Sequence, residues 1–234
     1  MKSLKSSWRW GRRGLAVLVL LLLAWQGWYF GWVVWWKFVN PSTTSFMSLR
    51  LDELREKDPR SELKKEWVPY GRISVHLKRA VVAAEDAKFS EHEGFDWEGI
   101  QKALEKNQKK GKIVAGGSTI SQQLAKNLFL SGTKTPWRKA QEAIITLMLE
   151  AVLDKRRILE IYLNVVEWGS GVFGAEAAAR HYYAIPAVQL SAEQAARLAV
   201  LLPNPRKFGR LPNSPYLAAR SQVILGRMSS ADIP

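Results

Sequence analysis

Apolar and polar positions divide this chain into one continuous hydrophobic run and a series of amphipathic stretches. Gly14 to Trp36 carries no charge, with Leu and Val in its first half and Trp and Tyr in its second. About 20 apolar residues span a bilayer, so the run predicts one transmembrane helix. It is too long for the apolar part of a cleaved signal, and Ala24-Trp25-Gln26 offers no small-x-small cleavage site. Residues 1–13 read as a basic tail before the anchor and 37–60 as a tether after it. Residues 61–234 read as one globular domain.

Inside that domain the apolar positions recur at helical spacing. Residues 73–90 predict a helix whose Val81-Val82-Ala83-Ala84 run leads straight into Glu85 and Asp86. Residues 101–112, rich in lysine and followed by Gly116-Gly117, read as a mobile basic connection. Thr119 and Gln122 stand at capping-box spacing and open a helix running to Asn127. A long helix is expected from Arg138 to about Lys155, apolar on nearly every face in its middle and therefore central. Further helices are expected over Lys155–Asn164, Ala175–Tyr183 and Ser191–Leu202, the last capped by Ser191 and stopped by Pro203. A turn is expected at 169–174. Alternating strand patterns are scarce, so the fold class is mainly α.

Charge sharpens this picture. The net charge is +14, and residues 1–39 hold six of the 35 cations and no acid, which leaves +8 on the rest. That excess favours an anionic partner such as a nucleic acid, a lipid headgroup or a phosphorylated substrate. Five cations precede the anchor and Lys37 alone follows it closely, so the N-terminus is expected in the cytoplasm of a cell-membrane protein. The globular part then lies in the periplasm or otherwise outside, and nucleic acid is not an expected partner. With no cysteine, the chain has no disulfide, thiolate metal site or cysteine nucleophile.

Candidate chemistry gathers at three places. A helix carrying Glu85 out of a Val-Val-Ala-Ala core brings a carboxylate to the rim of an apolar wall. Desolvation there raises its pKa and makes it a usable general base near neutral pH. The plainer reading is a solvated helix end. Glu142 lies three and four residues after Lys139 and Arg138, so both cations face it across one helical turn. The plainer reading there is a surface acid at a helix N-terminus. Ser118, Thr119, Gln122, Gln123, Lys126 and Asn127 surround a helix start, where exposed amides suit an anion. Glu150, deeper in the apolar run, reads as a structural buried acid.

Five stretches in order now carry a resemblance. Glu85-Asp-Ala-Lys-Phe-Ser-Glu-His-Glu-Gly-Phe-Asp96 and Gly117-Ser-Thr-Ile-Ser-Gln-Gln-Leu-Ala-Lys-Asn127 come first. Arg138-Lys139-x-x-Glu142, Ile158-Leu-Glu-x-Tyr-Leu-Asn164 and Gly174-x-x-x-Ala-Ala-x-x-Tyr182 follow. Together they resemble the peptidoglycan glycosyltransferases, and most closely the monofunctional biosynthetic members. The resemblance implies a lysozyme-like globular domain with a small second lobe. It implies that lipid II is polymerised into glycan by inverting transfer, with release of polyprenyl diphosphate. Glu85 takes the base's position and Glu142 that of a second essential acid. Lys126, Lys134 and Lys139 match cationic positions toward the diphosphate, and Ser118, Thr119, Gln122, Gln123, Asn127 and Arg138 complete the expected substrate contacts. A Mg or Mn ion is implied, with no ligands assigned in the sequence. Expected partners are lipid II, the growing lipid-linked chain, the membrane, and other cell-wall synthesis and division proteins.

The chain departs from the family pattern at Ser121, where threonine is usual, and at Ala184-Ile185, where Gly-Lys is usual. Lys134 stands where arginine is frequent. An apolar set around 113–130, including Leu124, Leu128 and Phe129, reads either as a surface dipping into the membrane interface or as core. A glycan hydrolase of lysozyme-like fold and a membrane-anchored scaffold are the rival functions. The cations around the acids weigh against the first, and the intact acids against the second.

Overall fold

The helix that ends at Glu85 packs mainly on the C-terminal part of the domain. The computed structural model describes residues 2–112, 116–130, 132–133, 135–211 and 214–234, with side chains described from residue 11 onward. Helix α3 (Val75–Glu85) starts where the Ser74 hydroxyl accepts from the His76 amide. Its buried residues Leu77, Ala80 and Val81 recur at i, i+3 and i+4. It ends five residues earlier than the pattern predicts, because Asp86 turns to an extended backbone, φ −162°. Helix α9 (Ala192–Ala199) packs beside α3. Its face of Ala195, Ala196 and Ala199 is small enough for the two backbones to approach closely.

Helix α5 (Ile120–Phe129) is buried along Ile120, Leu124, Ala125 and Leu128. It opens with the expected capping box, in which Thr119 and Gln122 satisfy each other's backbone amides. Helices α6 (Pro136–Val152) and α7 (Lys155–Val165) lie against it. The expected break between them falls at Leu153, and Asp154 caps α7 through the Arg157 amide, 2.7 Å. Helix α8 (Ala175–Tyr183) follows a three-stranded sheet in the order β1 (Lys64–Lys65), β3 (Val172–Phe173), β2 (Glu167–Gly169). β1 runs parallel to β3, and β2 runs antiparallel to it with a bulge. Gly171 makes the β2–β3 turn at φ +72°, a conformation that glycine alone takes without strain. Helices α10 (Pro205–Phe208) and α11 (Pro215–Arg227) close the domain.

Two expectations need correction, and a third gains detail: the basic residues ahead of the span are helical, since helix α1 runs unbroken over Lys2–Trp36. It is long and apolar enough to cross a membrane over Gly11–Trp36. The tether contains helix α2 (Ser45–Arg55), capped by Thr44 and packed on α5. Its charged sequence hides a buried face made by Met47 and Arg50. The lysine-rich connection is largely helix α4 (Trp97–Lys110), started by Asp96 and stopped by Gly111 at φ +61°. Its lysines all lie on the solvent side, which is why they gave no apolar period.

Helix α1 also docks on the domain. Phe129 sits among Trp28, Tyr29 and Trp36, with ring centroids 6.4, 5.2 and 4.9 Å away. Trp25 stacks on Trp137. Gln26 and Gln141 exchange amide hydrogen bonds of 2.9 and 3.0 Å. The guanidinium of Arg157 donates to the carbonyls of Trp36 and Val39, satisfying orphan acceptors at the helix end. Leu124 and Leu128 are core. Phe129 is covered by α1, so the described part of the apolar set divides between the domain core and this seam; Ile113 and Val114 lie outside the described residues.

Candidate active site

The two carboxylates at the end of α3 part company at once. Asp86 is buried and committed: Oδ2 accepts from the Ile120 amide at 2.9 Å, and Oδ1 meets His92 Nε2 at 2.9 Å. His92 Nδ1 accepts from the Gly94 amide, so the network assigns the proton to Nε2. Asp86 therefore anchors the N-terminus of α5, where a negative charge suits the helix dipole. Gly94 closes the turn at φ +90°, and its carbonyl accepts from the Thr119 hydroxyl at 2.7 Å. A Cβ there would meet Thr146 Cγ2 at 2.8 Å. The spaced Asp, His and Gly of this stretch thus hold α3 against α5.

Glu85 remains partly exposed. Its Oε2 accepts from the Gln123 side-chain amide at 2.8 Å. Burial pushes its pKa above the ordinary carboxylate value, while the Gln123 bond and the charges of Lys126 and Arg220 pull the other way. The sequence expectation of a carboxylate poised by an apolar wall is met in direction.

One turn further along α5, Lys126 is half-buried, and desolvation lowers its pKa despite the nearby Glu142 carboxylate. Glu142 is 3% exposed, and each oxygen is held by a cation. Arg138 Nη1 donates at 2.7 Å and Lys139 Nζ pairs with the other oxygen. Arg138 Nε is buried without a hydrogen-bond partner among the described residues, a donor facing no acceptor. These groups border a cleft of about 670 Å³, which Ser118, Gln122 and Gln123 also line. The far wall comes from Phe46, Leu49, Arg50 and Glu53 of α2 and Arg206 of α10. A smaller adjoining chamber of about 200 Å³ shares Gln123, Lys126, Arg50 and Arg206 and reaches Asn127.

The expected site residues thus come together with four qualifications, the first being that Glu85 does not itself line the cleft but meets it through Gln123. The Thr119 side chain is used within the capping box, as is that of Gln122, although Gln122 also borders the cleft. Gln123 points its amide at Glu85. Lys134 lies outside the described residues. Glu150 is the structural acid expected, paired with Lys155 at 2.8 Å.

Sequence reasoning missed the α2 wall. Arg50 is buried and pairs with Glu167 at 3.0 Å and with Glu53, which in turn meets Arg206 at 3.0 Å. The i,i+3 spacing of Arg50 and Glu53 was the available signal, but it looks like any solvated pair. No group of three or more His, Asp or Glu side chains among the described residues is arranged to hold a metal. Both oxygens of Glu142 are already taken. The described residues therefore offer no set of side chains that would hold a divalent ion by themselves.

A family model described as Transglycosylase matches residues 52–229. The chain belongs to the transglycosylase family. Two relatives named biosynthetic peptidoglycan transglycosylase make the likeness concrete. The protein of Dechloromonas aromatica (strain RCB) is 63% identical over 226 residues, 97% of this chain and 98% of its own length. That of Azoarcus sp. (strain BH72) is 62% identical over 231 residues, 99% of this chain and 100% of its own length. The transglycosylase match begins inside α2, where the structure also places the first wall of the cleft. The mainly helical, lysozyme-like class expected of a transglycosylase domain holds.

Proposed function

We propose that this transglycosylase polymerises lipid II into linear peptidoglycan strands by inverting glycosyl transfer. The observation that carries this reading is a carboxylate at an apolar helix end beside a cleft lined by Lys126, Arg138 and Lys139. Glu85 takes the proton from the acceptor's 4-hydroxyl as that oxygen attacks the anomeric carbon of the growing chain. The new bond forms on the face opposite the breaking one, so the linkage inverts from α to β. Inversion needs a base on the attacking side and no covalent intermediate. The leaving polyprenyl diphosphate is already a stable anion and asks for charge rather than a proton. Lys126, Arg138 and Lys139 supply it, and Arg138 Nε adds a donor. Glu142, held by Arg138 and Lys139, fixes both cations.

The membrane anchor keeps this cleft beside a lipid substrate, replacing a three-dimensional search with a two-dimensional one. The cations Lys2, Lys5, Arg9, Arg12 and Arg13, ahead of the apolar stretch of α1, support a cytoplasmic N-terminus with the domain outside the inner membrane. The test is to incubate the purified full chain with fluorescent lipid II in detergent. Glycan lengthening with release of polyprenyl diphosphate supports the reading. Shortening of cell-wall glycan with no use of lipid II would establish the hydrolase instead.

A further inference from the structure

Gln123 matches a substrate-contacting position in sequence, yet both ends of its side chain are engaged inside the protein. Tyr162 on α7 is fully buried, and its hydroxyl donates to Gln123 Oε1 at 2.9 Å. Since Oε1 accepts there, the amide nitrogen is the end that faces Glu85, and it donates to Oε2 at 2.8 Å. Among the described residues, Glu85 Oε1 takes no hydrogen bond. The three side chains come from α3, α5 and α7, so the chain of bonds ties together the elements that form this side of the site.

We propose that Tyr162 is a positioning residue for the reaction: through Gln123 it holds one oxygen of Glu85 and leaves the other to face the acceptor hydroxyl. The inference rests on Glu85 being the base. It reassigns Gln123 from gripping substrate to setting the base. A glutamine amide alone turns easily and can present either its oxygen or its nitrogen. Its oxygen against a carboxylate would be repulsive. The carboxylate of Glu85 only accepts, so it takes the nitrogen, and the Tyr162 hydroxyl, by donating to the oxygen, holds the amide plane in that setting. Burial and the neighbouring Glu85 and Asp86 charges push the Tyr162 pKa well above its ordinary value, so the hydroxyl keeps its proton across the working range.

The charged groups facing Glu85 are Asp86 beside it, Lys126 on α5 and Arg220 on α11. None of them changes in the variants proposed here. A donated hydrogen bond favours the ionised carboxylate. Losing it raises the pKa of Glu85, and a base with a raised pKa is protonated, and idle, up to a higher pH.

The experiment is the pH–rate profile of lipid II polymerisation by wild type, Tyr162→Phe and Gln123→Met, with thermal unfolding of each. Both variants are expected to move the acidic limb to higher pH, by about one unit for Gln123→Met and less for Tyr162→Phe. KM for lipid II stays close to wild type. An unmoved limb in Tyr162→Phe, while Glu85→Gln is inactive, overturns the relay and leaves the base intact. A raised KM with an unmoved limb in Gln123→Met returns Gln123 to substrate binding. Should Glu85→Gln polymerise normally, the base assignment fails first and the relay with it.

Discussion

Glu85 gives up stability for its position. Its ionised form is disfavoured in the fold by burial, so its folded pKa lies above the unfolded one. A carboxyl of that kind stabilises the fold below the unfolded pKa, and the contribution is lost as pH rises through the folded pKa. Near neutral pH the ionised Glu85 therefore costs stability. Glu85→Gln should raise the melting temperature at neutral pH, and the gain should vanish near pH 4, where the wild-type carboxyl is itself protonated. A lower melting temperature at both pH values would show a structural role instead. The local part of this site was legible in sequence because it is helical geometry. Arg138, Lys139 and Glu142 meet since residues three and four apart share a face. The Tyr162–Gln123–Glu85 chain spans separations of 39 and 38 residues, and no local period reports such a meeting. Recognised motifs placed all three residues in order, but not their bonds.

Between elements, the docking of α1 on α6 is the least expected feature. The sequence marks a membrane span, and nothing in its pattern says which face touches the domain. Gln26 is the one amide side chain between Gly14 and Trp36, and it meets Gln141 next to Glu142 in the chain. Polar side chains within a span mark contacts with a partner. Gln26→Leu strands the Gln141 amide, at a cost of about 1–2 kcal/mol. The expected result in proteoliposomes is a several-fold slower polymerisation, partly recovered by adding Gln141→Leu, which removes the unpaired group. Unchanged rates in the single variant would mean that the seam only tethers. The α2 and α4 helices escaped sequence reading for the opposite reason. Their polar residues dominate, and only two residues of α2 and one of α4 are buried.

At the scale of the molecule, a helix apolar enough to cross a membrane, a helical domain and a basic cleft form, on the proposed reading, one device for a lipid-linked sugar diphosphate. The excess positive charge read from composition finds its use in a cleft bordered by Lys126, Arg138, Lys139, Arg50 and Arg206. Two of those cations come from α2 and α10, far apart in sequence, and only folding brings them opposite Glu142. The measurement that tests this account most directly is the rate of polymerisation of labelled lipid II by wild type beside Glu85→Gln. Polymer from wild type, with a loss of about 10²–10⁴-fold in the variant, is the predicted result. Equal polymer from both would contradict the account and remove Glu85 as the base.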